Sequence, residues 1–226
     1  MDREKVNEYF LNLINDIIKN KSEWRYALLC EGGCQYEENE SLIEVEDEVT
    51  CEFNVDIKFG ASKLVIISNS SNEISEKYVA KIPFGYITMN YCEEELKTYN
   101  SVLNNYKDYS QYFAECWYAG NVSVEDDDNI ECHVPVYIMK RADADEDKVE
   151  ESSYDFWLSD GGKPECYYVE EPEEEIVNCF KNCYGKQVGD MIEEVINELE
   201  ITDLHSANIG FVEGYPVLID YSGFWG

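Results

Sequence analysis

The chain has 226 residues, 44% of them hydrophobic and 14% aromatic, and 17 Lys and Arg stand against 49 Asp and Glu for a formal net charge of −32. The apolar content can fill the core of one large domain or of two lobes sharing a cleft, which excludes global disorder. The charge excludes nucleic acid and anionic membranes as partners; it leaves either acidity that serves solubility or an acidic surface that engages a basic protein by mimicking a polyanion.

From the amino terminus, Met1-Asp-Arg-Glu-Lys-Val lacks a cationic start leading into an apolar run, so no signal peptide is expected. No apolar run approaches the roughly 18 residues of a membrane span, and a cytoplasmic protein is expected. Residues 3–19 predict an amphipathic helix, because Val6, Tyr9, Phe10, Leu13, Ile14, Ile17 and Ile18 recur at steps of three and four. Gly32-Gly33 predicts a turn and Glu37 to Glu40 an exposed acidic loop. Strands are predicted over 51–59, 63–68 and 77–83, with Ser68-Asn-Ser-Ser-Asn72 as the turn between the last two. A helix over 91–106 and strands over 112–119 and 130–139 follow, the latter separated by the solvated run Glu125 to Asp128. Together they make a five-stranded antiparallel lobe with one helix inserted after the third strand. Residues 142–151 are poor in apolar residues and predict a connection, while Gly161-Gly162 and Glu170 to Glu175 mark loops. Residues 174–199 have helical periodicity, broken near Gly185 and Gly189. Two short strands, 209–212 and 217–220, close a hairpin at Glu213-Gly214. The expected organisation is 1–50 as an amphipathic helix with an acidic extension, 51–139 as an amino lobe and 140–226 as a small, mostly helical carboxy lobe.

Nine cysteines without a secretory signal predict reduced thiols. Cys30-x3-Cys34 and Cys179-x3-Cys183 invite a zinc site, but His133 and His205 are the only imidazoles, and 179 and 183 also suit small apolar groups one turn apart on a helix.

The chemistry-bearing residues fall in a definite order. Phe59-Gly60-Ala61-Ser62-Lys63 lies between two strands, Val79-Ala80-Lys81-Ile82 forms the next strand, and the helix behind it carries Glu93-Glu94-Glu95-Leu96. Val134-Pro-Val-Tyr-Ile-Met139 runs into Lys140-Arg141-Ala142. Asp203-Leu-His-Ser-Ala-Asn208 puts an aspartate five residues before an asparagine, and Asp220-Tyr-Ser-Gly ends an apolar strand twelve residues further on. In this order the motifs resemble those of protein-kinase-like phosphotransferases, and the D-L-H-x-x-N-I-G and I-D-Y-S-G endings resemble those of compact kinase-like proteins of bacteriophages and bacteria. The resemblance covers residues 51 to the end.

That resemblance implies an α+β, two-lobed protein-kinase-like fold, ATP and Mg2+ as cofactors, and a role for each motif. Lys81 would meet the α- and β-phosphates and pair with a helix glutamate, Glu95 being favoured. Gly60, Ser62 and Lys63 would cover the phosphates, and main-chain atoms near Met139 would meet adenine. Asp203 would orient the attacking hydroxyl and accept its proton, and Asn208 and Asp220 would hold the metal. Plainer readings stand beside these: Lys81 as a lysine guarding a sheet edge, Glu95 as a helix-surface carboxylate, Asp203, Asn208 and Asp220 as turn formers, and His205 as a packing residue.

The sequence also departs from the family. Ile201-Thr202 stands where His-Arg commonly precedes the aspartate, and six residues follow Asp220, so neither an activation segment nor a peptide-docking platform is expected. Three functions fit: a minimal phosphotransferase, a nucleotide-binding pseudokinase that regulates a partner, and an acidic kinase-like scaffold that inhibits a basic nucleic-acid-binding protein, as a DNA-mimicking phage inhibitor of host defence would.

Overall fold

The computed structural model describes residues 1–20, 48–59, 62–83, 90–125, 130–163, 172–202 and 204–222. The turn at Gly32-Gly33, the acidic run at 37–40, Asp126 to Asp128, Cys30, Cys34, Gly60 and Asp203 lie outside the described residues. The chain is α+β and divides into two compact units, Met1–Leu96 with Cys116–Arg141 and Lys97–Glu115 with Ala142–Gly226. Among the described residues no helix is long and apolar enough to cross a membrane.

The first unit is built on a five-stranded antiparallel sheet. Its strands are β1 (Val55–Phe59), β2 (Lys63–Ser68), β3 (Tyr78–Pro83), β4 (Cys116–Glu125) and β5 (Glu131–Lys140), in the spatial order β1-β2-β3-β5-β4. Period-two alternation sorts the side chains between two faces. Leu64, Ile66, Ala80, Ile82, Val136 and Ile138 point to one face and are buried there. Helix α1 (Arg3–Asn20) covers it with Val6, Phe10, Ile14 and Ile17, none more than 1% exposed. Each such side chain contributes about 1.5–3 kcal/mol by leaving water. Polar contacts fix the helix rotationally: Trp117 Nε1 donates to Asn7 Oδ1 at 2.7 Å, and the Tyr9 hydroxyl lies 2.7 Å from Ser68 Oγ. The amino-terminal helix is thus part of this unit's core.

Three expected boundaries need correction. Residues 51–53 are helical and β1 starts at Val55. Between β2 and β3 there is a short helix, α2 (Glu73–Lys77), as well as the turn; Asn72 caps it by accepting from Ile74 N at 2.9 Å and Ser75 N at 3.0 Å. The strand expected over 112–119 begins only at Cys116, because Lys107–Tyr112 forms a 3-10 helix. Helix α3 (Tyr91–Asn105) sits between β3 and β4 in the chain, as expected, and passes from the first unit to the second at Leu96.

In the second unit, α4 (Glu146–Ser159) packs on α5 (Pro172–Tyr184), and α5 on α6 (Lys186–Glu198). The connection expected at 142–151 is instead a two-residue strand, β6 (Asp143–Ala144), and the start of α4, which Asp145 caps by accepting from Lys148 N at 3.1 Å. Glu173 to Glu175, read as loop, form the first turn of α5 behind Pro172, where carboxylates favour the helix dipole and proline costs no hydrogen bond. The break between α5 and α6 falls at Gly185 alone, whose φ of +91° suits only glycine. Gly189 lies inside α6; a Cβ there would come within 3.0 Å of the Val177 carbonyl oxygen, so glycine lets the two helices touch. Strands β7 (Ile209–Val212) and β8 (Tyr215–Leu218) form the expected hairpin, with the second strand two residues earlier than 217–220 so that Asp220 lies just past its end, and β6 pairs with β7.

Candidate functional site

The sheet face opposite α1 carries the first cluster. Lys81 is paired with Val65 across β2–β3, and Lys63, two residues before Val65, therefore points to the same face. Across β3–β5, Lys81 is opposite Tyr137 and Val79 opposite Met139, which adds those three to that face. Onto it α3 brings Glu95, which is buried one turn along the helix from the buried Tyr91.

Glu95 is 1% exposed and receives both lysines. Lys63 Nζ lies 2.6 Å from Glu95 Oε1, and Lys81 Nζ lies 2.9 Å from Oε1 and 3.1 Å from Oε2. The two plainer readings fail here: β3 is a central strand, so Lys81 guards no edge, and Glu95 is not a surface carboxylate. A shared carboxylate holds both ammonium groups at fixed positions, which is what recognition of a polyanion requires. Ser62, just before Lys63, is also buried.

Tyr137, beside Lys81, was not picked out from the sequence. Its hydroxyl accepts from Asn90 Nδ2 at 2.9 Å, and burial pushes its ionisation up to about 12 against that hydrogen bond, so it stays a neutral phenol. Met139 is buried and flanked by Val79 on one side and Cys116 on the other. Its main chain therefore belongs to the sheet; it offers a side chain rather than backbone to the face that holds Lys81.

The second unit contains the other candidates. The β7–β8 register sets Ile209 opposite Leu218, which brings Asn208 and Asp220 to the same end of the hairpin. The Asn208 carbonyl oxygen accepts from Ile219 N at 2.8 Å and from Asp220 N at 3.4 Å. Asn208 is 8% exposed, and its Oδ1 accepts from His205 N at 2.8 Å, so the turn-forming reading of this residue is a physical fact of the structure. The bond uses one lone pair of that oxygen and leaves the second for another partner. Ser222 Oγ donates to Asp220 Oδ1 at 3.2 Å.

Tyr221, directly after Asp220, is 1% exposed; its hydroxyl donates to the Ala114 carbonyl at 2.6 Å and its ring meets Phe113 edge-on at 5.5 Å. It pins the backbone that carries Asp220, a role invisible without the fold. An amide oxygen and a carboxylate on adjacent backbone suit Mg2+, which takes one or two protein oxygens and fills its other positions with water and phosphate. Cys179 and Cys183 lie one turn apart on α5, and among the described residues no group of three or more His, Cys, Asp or Glu is placed to hold a metal ion.

No family model matches the chain, and no curated protein matches it.

Proposed function

We propose that the protein is an ATP- and magnesium-dependent phosphotransferase with a two-lobed protein-kinase-like fold. The observation that carries this reading is the buried salt bridge from Lys81, on the central strand of the five-stranded sheet, to Glu95 of the helix that follows it. Phosphoryl transfer depends on positioning and charge, and a lysine fixed by a helix glutamate supplies both.

In this reading Lys81 holds the α- and β-phosphates, and Glu95 keeps its ammonium in place. Gly60, Ser62 and Lys63 meet the phosphate chain, and Met139 lies against the base. Asn208 and Asp220 hold magnesium, which neutralises charge on the phosphoryl oxygens. Asp203 accepts the proton of the attacking hydroxyl.

Thermal denaturation with MgATP tests the reading. Nucleotide at 100 times its dissociation constant adds about 2.7 kcal/mol, roughly 5–11 °C in Tm for a chain of this size. Lys81→Met and Asp220→Ala should abolish that shift, whereas Asp203→Ala should keep it and lose phosphate transfer. Absence of any shift in the wild type at millimolar nucleotide would sink the proposal.

The net charge of −32 favours one other reading, an inactive kinase-like protein that binds and inhibits a basic nucleic-acid-binding partner. It requires salt-sensitive capture of that partner by wild type and Lys81→Met alike, with no effect of nucleotide.

A further inference from the structure

Helices α5 and α6 of the second unit enclose a groove of about 880 Å3, within the range of small-molecule sites. Gly189 draws the helices together near Val177 and Lys181, and the groove lies along the residues beyond that contact. Val177, Ile196 and Ile201, each no more than 5% exposed, give it an apolar floor. Its rim carries Glu173, Glu174, Glu193 and Glu200 against a single cation, Lys181. That cation is already engaged within the helix pair, 3.1 Å from Asp190 and 3.7 Å from Glu193.

The acidic rim alone would be a solvated surface. Asn178 makes it more than that. It lines the groove, is 7% exposed, and its side-chain amide makes no hydrogen bond with any described residue. A buried amide without a partner costs about 1–3 kcal/mol, so a native protein that keeps one at a cavity wall has a reason to do so.

We propose that this groove binds a linear aliphatic polyamine. The methylene chain lies on Val177, Ile196 and Ile201, the terminal ammonium groups meet Glu173, Glu174 and Glu200, and one N–H donates to Asn178 Oδ1. A bare metal ion fits less well, because among the described residues no cluster of carboxylates converges with metal-holding geometry. An anion meets four carboxylates. An apolar ligand leaves both Asn178 and the rim unsatisfied. The site is independent of nucleotide binding, since none of its lining residues has a role in the reading above.

Isothermal titration of the full chain with spermidine tests the inference, in 150 mM NaCl and 5 mM MgCl2 to occupy loose counterion positions on so acidic a surface. One site per chain is expected, weakened tenfold or more by Asn178→Leu and about fivefold by Glu200→Gln. Glu200 is exposed, so its variant keeps the test open if the Asn178 variant fails to fold. Several weak sites unchanged by Glu200→Gln would mean counterion condensation and would overturn the proposal. So would the absence of binding.

Discussion

Replacing Glu95 by leucine removes the carboxylate that Lys63 and Lys81 contact at 2.6 and 2.9 Å. Both lysine side chains are no more than 7% exposed, so neither can turn to water without disturbing β2 or β3. Removing one member of a buried ionic cluster costs about 3–5 kcal/mol, most of it from the charges left behind. With an m-value of about 2 kcal/mol per molar urea, the midpoint should fall by roughly 1.5–2.5 M. Tryptophan fluorescence can follow this, since Trp117 lies in the core of the same unit. The control is the triple variant Lys63→Met, Glu95→Leu, Lys81→Met, which removes these three charges at similar volume. It should recover to within about 1 kcal/mol of the wild type, because well-packed apolar replacements of buried ionic clusters are commonly neutral or stabilising. It should also have lost MgATP binding, which separates the functional role of the cluster from its structural one. A single variant that costs less than about 1 kcal/mol, or a triple variant as unstable as the single, would refute the account of Glu95 as the group that holds two buried lysines.

Burial, with Glu150 and Glu146 nearby, raises the Glu175 carboxyl above its ordinary range. A raised carboxyl destabilises the fold above its folded pKa and ceases to do so as pH drops below the unfolded value, so Glu175→Gln should raise Tm at pH 7–8 and change nothing at pH 4. Cys183 is held down to about 6 by a hydrogen bond from the Cys179 thiol and, against the effect of burial, by the Ser152 hydroxyl and the charge of Lys148. Asn182 Nδ2 donates to Ser152 Oγ at 3.1 Å, which leaves the hydroxyl proton for the sulfur. Iodoacetamide labelling of Cys183, followed by peptide mass mapping, should have its midpoint below that of an ordinary thiol and move upward in Cys179→Ala. Tyr221→Phe removes a 2.6 Å hydrogen bond to a buried carbonyl. It should cost about 1–3 kcal/mol and lower Tm by roughly 2–4 °C per kcal/mol, measured by differential scanning calorimetry.

The sheet was readable because runs of β-branched and apolar residues stand between turn signals: 63–68 is β2 residue for residue, and the chain order of strands with a helix after the third follows from pattern alone. Where the reading failed, capping had outweighed hydrophobic periodicity. Helix α4 has few apolar residues in its first two turns, so periodicity reports a linker, yet the Asp145 cap and the buried Val149 suffice to start it. Helix α2 hides directly behind a run of serine and asparagine for the same reason, Asn72 being a cap as well as a turn former. Gly189 looked like a helix breaker; its reason for being glycine is the opposing helix, a tertiary fact.

The candidate site divides along the same line. Among Glu93, Glu94 and Glu95, only Glu95 shares the buried stripe of Tyr91, Tyr99 and Val102, so helical spacing alone could have chosen it. That Lys63 shares its carboxylate depends on the β2–β3 register, which no local pattern contains. Tyr137, Tyr221 and Asn178 are of the same kind, since each acquires its meaning from a residue more than ten positions away or from a cavity wall.

The net charge of −32 argues against a polyphosphate ligand only while charge is counted over the whole chain. A unit charge 20 Å from a phosphate in water contributes roughly 0.2 kcal/mol before screening, and salt at physiological strength, with a screening length of about 8 Å, removes most of that. An ammonium group about 4 Å away, where the effective dielectric constant is near 20, contributes about 4 kcal/mol. One fixed lysine therefore outweighs on the order of twenty remote carboxylates, and the first unit fixes two, against the one carboxylate of Glu95, on a single sheet face. The same arithmetic explains why Glu95 has to be buried between them. In an exposed position its carboxylate would be one more screened charge among 49 acidic residues, but beneath the two lysines it sets where both ammonium groups sit.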